Sequence, residues 1–433
     1  MSRTILRGRV LSFVREPQGL EDAASYSYIE DGAIEVAAGR IVRVGAFDAA
    51  AAIGAEVIDH RPHLILPGFI DMHLHYVQSQ MIASYAGSLL EWLNTYTFIE
   101  EQKFSQQGHA GAVASQFYDE LIRNGTTTAV AYCSSHPNSV DAYFVEAEKR
   151  NMLMIGGKVM MDRNAPEALC DTARSSYDDS KALIARWHKR GRGLYAISPR
   201  FAITSTPAQM EAAQALVAEH PDCYVQTHLS ENDAEISLSM QLYPGSPDYT
   251  GIYEDYGLLG PRTLLGHCIH LNHRETGVLA ETGSVAVFCP TSNLFLGSGL
   301  FDRERLGQAG VRMGLATDIG GGTSFSMLRT MDEGYKVLQL RGQRLNPFAA
   351  FHMATLGNAR ALGLEAEIGA IAPGRSADLV VLDASATPVM AMRMANARTL
   401  AEELFLLQTL GDDRAVAEVY VAGARVKSAL HGL

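Results

Sequence analysis

Residues 67–78 read Pro67-Gly-Phe-Ile-Asp-Met-His73-Leu-His75-Tyr-Val-Gln78, at the close of a short apolar run that begins at Leu64. On an extended strand, residues i and i+2 share a face, so His73 and His75 project two imidazoles side by side. Neutral imidazole is a ligand for divalent zinc and iron. The stretch thus marks a strand and a candidate metal centre together, and it directs attention to other apolar runs that end in polar residues.

Seven such runs follow Leu64–His75: Thr126–Tyr132, Leu153–Met160, Leu194–Arg200, Tyr224–Ser230, Thr263–His270, Ser284–Pro290 and Arg312–Asp318. Helix-like segments lie between them, at Ala110–Asn124, Ser139–Asn151, Ser175–Arg190, Pro207–Glu219, Asn232–Gln241 and Arg274–Thr282, with more at Ser326–Gln343 and Pro347–Leu362. Strands alternating with helices imply βαβ units and a parallel sheet. Eight repeats imply a closed (β/α)8 TIM-like barrel. A doubly wound open sheet would carry Gly-x-Gly-x-x-Gly after its first strand, which is missing here.

The chain ends have a different character. Thr4–Val14, a hairpin over Ala33–Val44 around Gly39, a strand at Ala377–Asp383 and a hairpin over Ala415–Val426 are all β-rich. They imply a small β-sandwich domain built from both ends, residues 1–66 plus 369–433, beside a metal-dependent barrel domain at 67–368.

The chain has 433 residues, 47% hydrophobic and 19% charged, enough for a large core. A net charge of −12 argues against a nucleic-acid polymer as partner. Five cysteines without a Cys-x-x-Cys pair argue for a reducing compartment, and Cys268 and Cys289 read as buried thiols. The first residues lack a signal-like apolar core, and no stretch approaches the ~18–20 apolar residues that span a bilayer. The expectation is a cytoplasmic protein with no membrane partner.

A barrel carries its chemistry at the C-terminal ends of its strands. Those ends hold His73 and His75, then Arg200-Phe201, then His228 and Glu231, then His267, and finally Thr317-Asp318. Three histidines and a carboxylate suit a mononuclear zinc site, with iron also possible. A water in the open position would have its pKa drawn towards ~7. Spacing does not fix which histidines bind. We take His73, His75 and His228 as ligands and His267 as a hydrogen-bonding partner of the water or substrate. Asp318 can bind metal and accept a proton, or cap the segment that follows. Glu231 can shuttle protons, or favour a helix dipole. Arg200 beside Phe201 suits a flat, hydrogen-bonding heterocycle, unless it forms a surface ion pair. Gln78 both donates and accepts, as a nucleobase edge requires. The remaining ten of the fourteen histidines have no organised partners. Gly320-Gly-Gly-Thr-Ser lacks the lysine of a phosphate loop and reads as a barrel loop. No Gly-x-Ser-x-Gly is present.

Pro67–His75 resembles the opening motif of the metal-dependent amidohydrolase superfamily, and His228, His267 and Asp318 fall in the order in which that superfamily places its later histidines and final aspartate. The blocks 89–98, 160–164, 199–202, 227–232, 289–299 and 317–324 are similar, more specifically, to the guanine deaminase family, and they cover nearly the whole barrel. The resemblance implies hydrolytic deamination of guanine at C2 to xanthine and ammonia, a step of purine catabolism. It implies one zinc per subunit on His73, His75, His228 and Asp318, and a homodimer. Glu231, Asp318 and His267 would be catalytic. Gln78, Arg200 and Phe201 would hold guanine, with His228, Glu231 and Asp318 also against it. Two positions depart from the family pattern: Phe288 within Val287-Phe-Cys-Pro290, where Ala-His-Cys-Pro is expected, and Val77, where proline is common.

Other classes are weaker. A related amidohydrolase acting on an adenosine-type, cytosine or triazine ring would share the metal chemistry. A binuclear ring-opening hydrolase needs a bridging lysine at a strand end, and Lys158 precedes the end of its run. A non-catalytic barrel has no need of the full ligand set with Glu231.

Overall fold

The structure, a computed structural model, describes residues 3–50, 52–85 and 88–432, so the outer ends of the composite domain at residues 1 and 433 lie outside the described residues. Four strands precede the barrel: β1 (Thr4–Phe13), β2 (Tyr26–Ala37), β3 (Arg40–Ala46) and β4 (Glu56–Pro67). The barrel segment holds β5 (Phe69–His75), β6 (Thr126–Tyr132), β7 (Leu153–Gly157), β8 (Val159–Met160), β9 (Gly193–Pro199), β10 (Tyr224–Leu229), β11 (Thr263–His267), β12 (Val285–Phe288) and β13 (Arg312–Leu315). The chain closes with β14 (Leu379–Leu382), β15 (Val416–Val421) and β16 (Ala424–Arg425).

The barrel order is β5-β6-β7-β9-β10-β11-β12-β13, with β8 continuing β7 past Lys158 to pair with β9. All of these pairings are parallel. The ring closes at the mouth: the Asp318 N–H donates to the His73 carbonyl at 2.9 Å, and the His75 amide to the Ile319 carbonyl. The eight-stranded parallel barrel expected from the alternation is thus the architecture observed. Its helices occupy the expected places; Pro207–Glu219, started by the Thr206 cap, matches in full.

The run Leu64–His75 divides into two strands rather than one. Residues up to Pro67 belong to β4, and the barrel begins at Phe69. Gly68 is the joint. A Cβ there would stand 2.2 Å from Thr127 Oγ1, so only glycine allows the chain to pass this close to β6.

The ends of the chain form a second sheet, ordered β16-β15-β14-β4-β1-β2-β3. C-terminal β14 lies antiparallel to β4, which ties the two ends together. Strand periodicity decides what each face buries. Ile65, Leu379 and Val381 join Leu6, Val10 and Ile34 in the small core, while Leu64, Leu66, Val380 and Leu382 face the barrel core. Residues 369–433 also contain two helices, Pro388–Met394 and Leu400–Leu410, that the β-rich expectation omitted. Leu400–Leu410 is apolar around most of its circumference, so its sequence lacks an amphipathic stripe. It packs Leu404 and Leu407 into the barrel core. Among the described residues, no helix is long and apolar enough to cross a membrane.

Candidate active site

His73 and His75 close β5, His228 lies near the end of β10, His267 ends β11, and Asp318 follows β13. All five are buried at one barrel mouth. His75 Nε2 and His228 Nε2 stand 3.2 Å apart. Asp318 Oδ1 is 3.4 Å from His73 Nε2 and 3.6 Å from His75 Nε2. Ligand atoms of His73, His228 and His267 lie within 4.8 Å of one another. The His228 Nδ1–H donates to the Arg200 carbonyl at 2.7 Å, so a neutral ring turns its Nε2 lone pair towards His75. Facing lone pairs repel unless a proton or a cation lies between them. His73 Nε2 is buried without a hydrogen-bond partner. His73, His75, His228 and Asp318 therefore fit a divalent ion by chemistry and by proximity.

Electrostatics agree. Burial, then the neighbouring His228 and Arg200, hold the His75 pKa well below its ordinary value; burial, His73, His267 and Arg200 do the same to His228. Neutral imidazole is the ligating form. Burial favours a protonated Asp318, but the close approach of His73, at 3.4 Å, and the His73 and His267 charges outweigh this and lower its pKa.

The backbone around the site is strained. Ser230, His267, Cys268 and Asp318 all adopt positive φ, between 51° and 74°, although none is glycine. Such residues persist only where the surroundings over-determine them. The mouth also needs room: a Cβ on Gly266 would stand 2.6 Å from His73 Cε1.

Glu231 is buried one residue before the Asn232 cap of helix Asp233–Leu242. Its Oε1 accepts from Ser298 Oγ at 2.7 Å, and its Oε2 lies 3.4 Å from His267 Nε2. Burial raises its pKa, with His267 opposing. His267 is turned by Asn293, whose Oδ1 is 3.0 Å from Nδ1. Burial lowers the His267 pKa, but the Glu231 and Asp318 carboxylates outweigh it and the net shift is upward.

A pocket opens beside these groups, lined by Gln78, Arg200, Phe201, Glu231, His267 and Asp318 among others. Leu89, Trp92 and Leu93 roof it. Arg200 makes no surface ion pair: it is buried, and its Nη1 donates to both oxygens of Glu101 at 2.9 Å. Removing that carboxylate would strand a buried guanidinium, a loss of about 3–5 kcal/mol.

A profile of the amidohydrolase family matches residues 64–426. Guanine deaminase of Escherichia coli strain K12 is 48% identical over 425 residues, covering 97% of each chain. The chain belongs to the amidohydrolase family, in its guanine deaminase branch. The solved structure of the E. coli guanine deaminase superposes with a TM-score of 0.95 at 47% identity, covering 98% of this chain and 99% of that one. A guanine deaminase from C. acetobutylicum, solved with guanine bound in its active site, gives 0.88 at 28% identity, covering 98% and 100%.

The two departures from the amidohydrolase pattern lie away from the pocket. Phe288 is buried and stacked on Phe301 at 4.6 Å, and Val77 is buried behind the mouth. Several site neighbours are not singled out by the sequence, although Asn293 and Ser298 lie within the block 289–299 that resembles the family. Glu101, Asn293 and Ser298 touch the site from helices and loops far away in the chain. Asp71 accepts hydrogen bonds from the amide and hydroxyl of Thr317 and so anchors the turn that bears Asp318. Cys289, read as a buried thiol, groups with His73 and Asp318 with candidate ligand atoms within 4.8 Å of one another; burial, then the Asp318 charge, keeps its pKa well above the ordinary value. Lys158 is buried and paired with Asp171.

Proposed function

We propose that this chain deaminates guanine hydrolytically at C2, giving xanthine and ammonia. The observation that carries the proposal is the convergence of Gln78, Arg200, Phe201, Glu231 and Asp318 on one pocket in a chain similar to guanine deaminases over nearly its full length. His73, His75, His228 and Asp318 would hold a divalent ion, zinc by the nature of the donors, which when bound supplies Lewis-acid activation of water.

The chain's own residues do the rest. Arg200 and Gln78 hold the ring by its polar edge, while Phe201, Trp92 and Leu93 exclude water from its faces. Glu231 lies between the ring and His267, where it can pass a proton to a ring nitrogen and then to the leaving amine. Ser298 fixes one Glu231 oxygen and leaves the other directed at the pocket. Asp318 takes a proton from the attacking water, and His267, steadied by Asn293, hydrogen-bonds the oxygen that joins C2. Water supplies the oxygen and two hydrogens, and the exocyclic nitrogen leaves as ammonia.

We extend the proposal to a cytoplasmic homodimer, as the family resemblance implies; light scattering on the purified protein checks the dimer. Chelation and readdition test the chemistry. A chelator should abolish xanthine formation from guanine, and zinc should restore it. Full turnover by protein shown to be metal-free would refute the assignment.

A further inference from the structure

Glu101 ends the short helix Phe98–Glu101, in the segment that roofs the pocket, and it is fully buried. Gln78 Nε2 donates to its Oε1 at 2.8 Å, and Arg200 Nη1 donates to both of its oxygens at 2.9 Å. The Gln78 carbonyl is taken up as well, by the Gly320 N–H at 3.3 Å. Gln78 is left with one N–H to offer. Arg200 keeps Nε and Nη2, to which no described residue gives an acceptor. Both residues line the pocket. A carboxylate only accepts hydrogen bonds, so Glu101 admits both neighbours as donors and in no other role.

We propose that Glu101 is a positioning residue that sets the polarity of the pocket: it holds Gln78 and Arg200 as donors, so the bound ring must bring acceptors to them. Guanine does so with its 6-oxo oxygen and N7, the two acceptors of that edge. A 6-amino purine brings a donor and leaves buried N–H groups unpaired, which is the strongest form of discrimination a pocket has. The proposal rests on guanine as the substrate. A glutamine at 101 would break the rule, because its amide donates as well as accepts. Gln78 could then turn over and present its carbonyl to the pocket.

Hypoxanthine and adenine differ at C6 and lack the 2-amino group, so neither can lose ammonia from C2. Their dissociation constants should be measured by calorimetry on metal-replete wild type, Glu101→Gln and Glu101→Asp, together with kcat and KM for guanine. Wild type should prefer hypoxanthine by on the order of 100-fold. E101Q should lose most of that preference by binding hypoxanthine about tenfold or more weakly, and its KM for guanine should rise by more than its kcat falls. E101D keeps an acceptor-only group and should keep the preference even if both ligands bind less tightly. Equal weakening of both ligands in E101Q, with metal content and near-ultraviolet dichroism unchanged, would mean a structural role and overturn the proposal. Collapse of the preference in E101D would overturn it as well, and that variant decides the matter if E101Q does not fold. Wild type that forms no xanthine from guanine would overturn the substrate assignment itself, and this proposal with it.

Discussion

Glu231 is set by its neighbours rather than by its helix. It precedes the Asn232 cap, and its carboxylate turns inward to Ser298 and His267 instead of serving the helix N-terminus. Glu231→Gln keeps the shape and removes the proton carrier. The variant should retain its metal by elemental analysis and lose kcat by about 10²–10⁴-fold. Loss of metal in that variant would instead make Glu231 a ligand. Ser298 acts on one oxygen of the same carboxylate. Ser298→Ala leaves that oxygen without its donor and should lower kcat about tenfold, in line with a net hydrogen bond worth about 1–1.5 kcal/mol; an unchanged kcat would show that Glu231 is held by other contacts.

Strands β5 and β11 meet across the barrel through His73 and Gly266. Gly266→Ala puts a methyl group 2.6 Å from the imidazole, in a wall with no slack. The ring must move, so the variant should give up its metal to a chelator at lower concentration while its far-ultraviolet dichroism stays that of wild type. Equal chelator sensitivity would show that His73 is not a ligand. Strand order and strand ends were legible in the sequence because a buried parallel strand writes an apolar run that stops at a polar residue, as Leu153–Gly157 does before Lys158. The division at Gly68 was not legible, since two buried strands in line write one run. Helix Leu400–Leu410 was missed because it is apolar on nearly every side. Glu101 was missed because its partners, Gln78 and Arg200, lie on other elements; the buried acids Glu100 and Glu101 in Phe98-Ile-Glu-Glu-Gln102 show no period and no motif.

At the scale of the whole molecule, His352 links the barrel to the terminal sheet. It packs edge-on against Phe13 of β1, with ring centroids 5.8 Å apart. Burial, then Arg360 and Arg303, lower its pKa from 6.5 to about 4. The unfolded chain takes up this proton near pH 6.5 and the folded chain only near 4. The unfolded state therefore binds more protons in that window, and stability falls as pH drops through it. Above pH 6.5 the group contributes no slope. Thermal midpoints of wild type and His352→Phe, followed from neutral pH down to about 4, should diverge in slope below 6.5, with the variant the flatter; parallel curves would remove His352 from the account. Substrate choice rests on the pocket at the barrel mouth. Guanine, adenine, cytosine and a triazine should each be incubated with metal-replete protein, and the ultraviolet change and ammonia release followed together. Guanine should be converted to xanthine with one ammonia released per ring, far faster than the other three. Absence of guanine turnover, or a faster reaction with any of the others, would contradict the account.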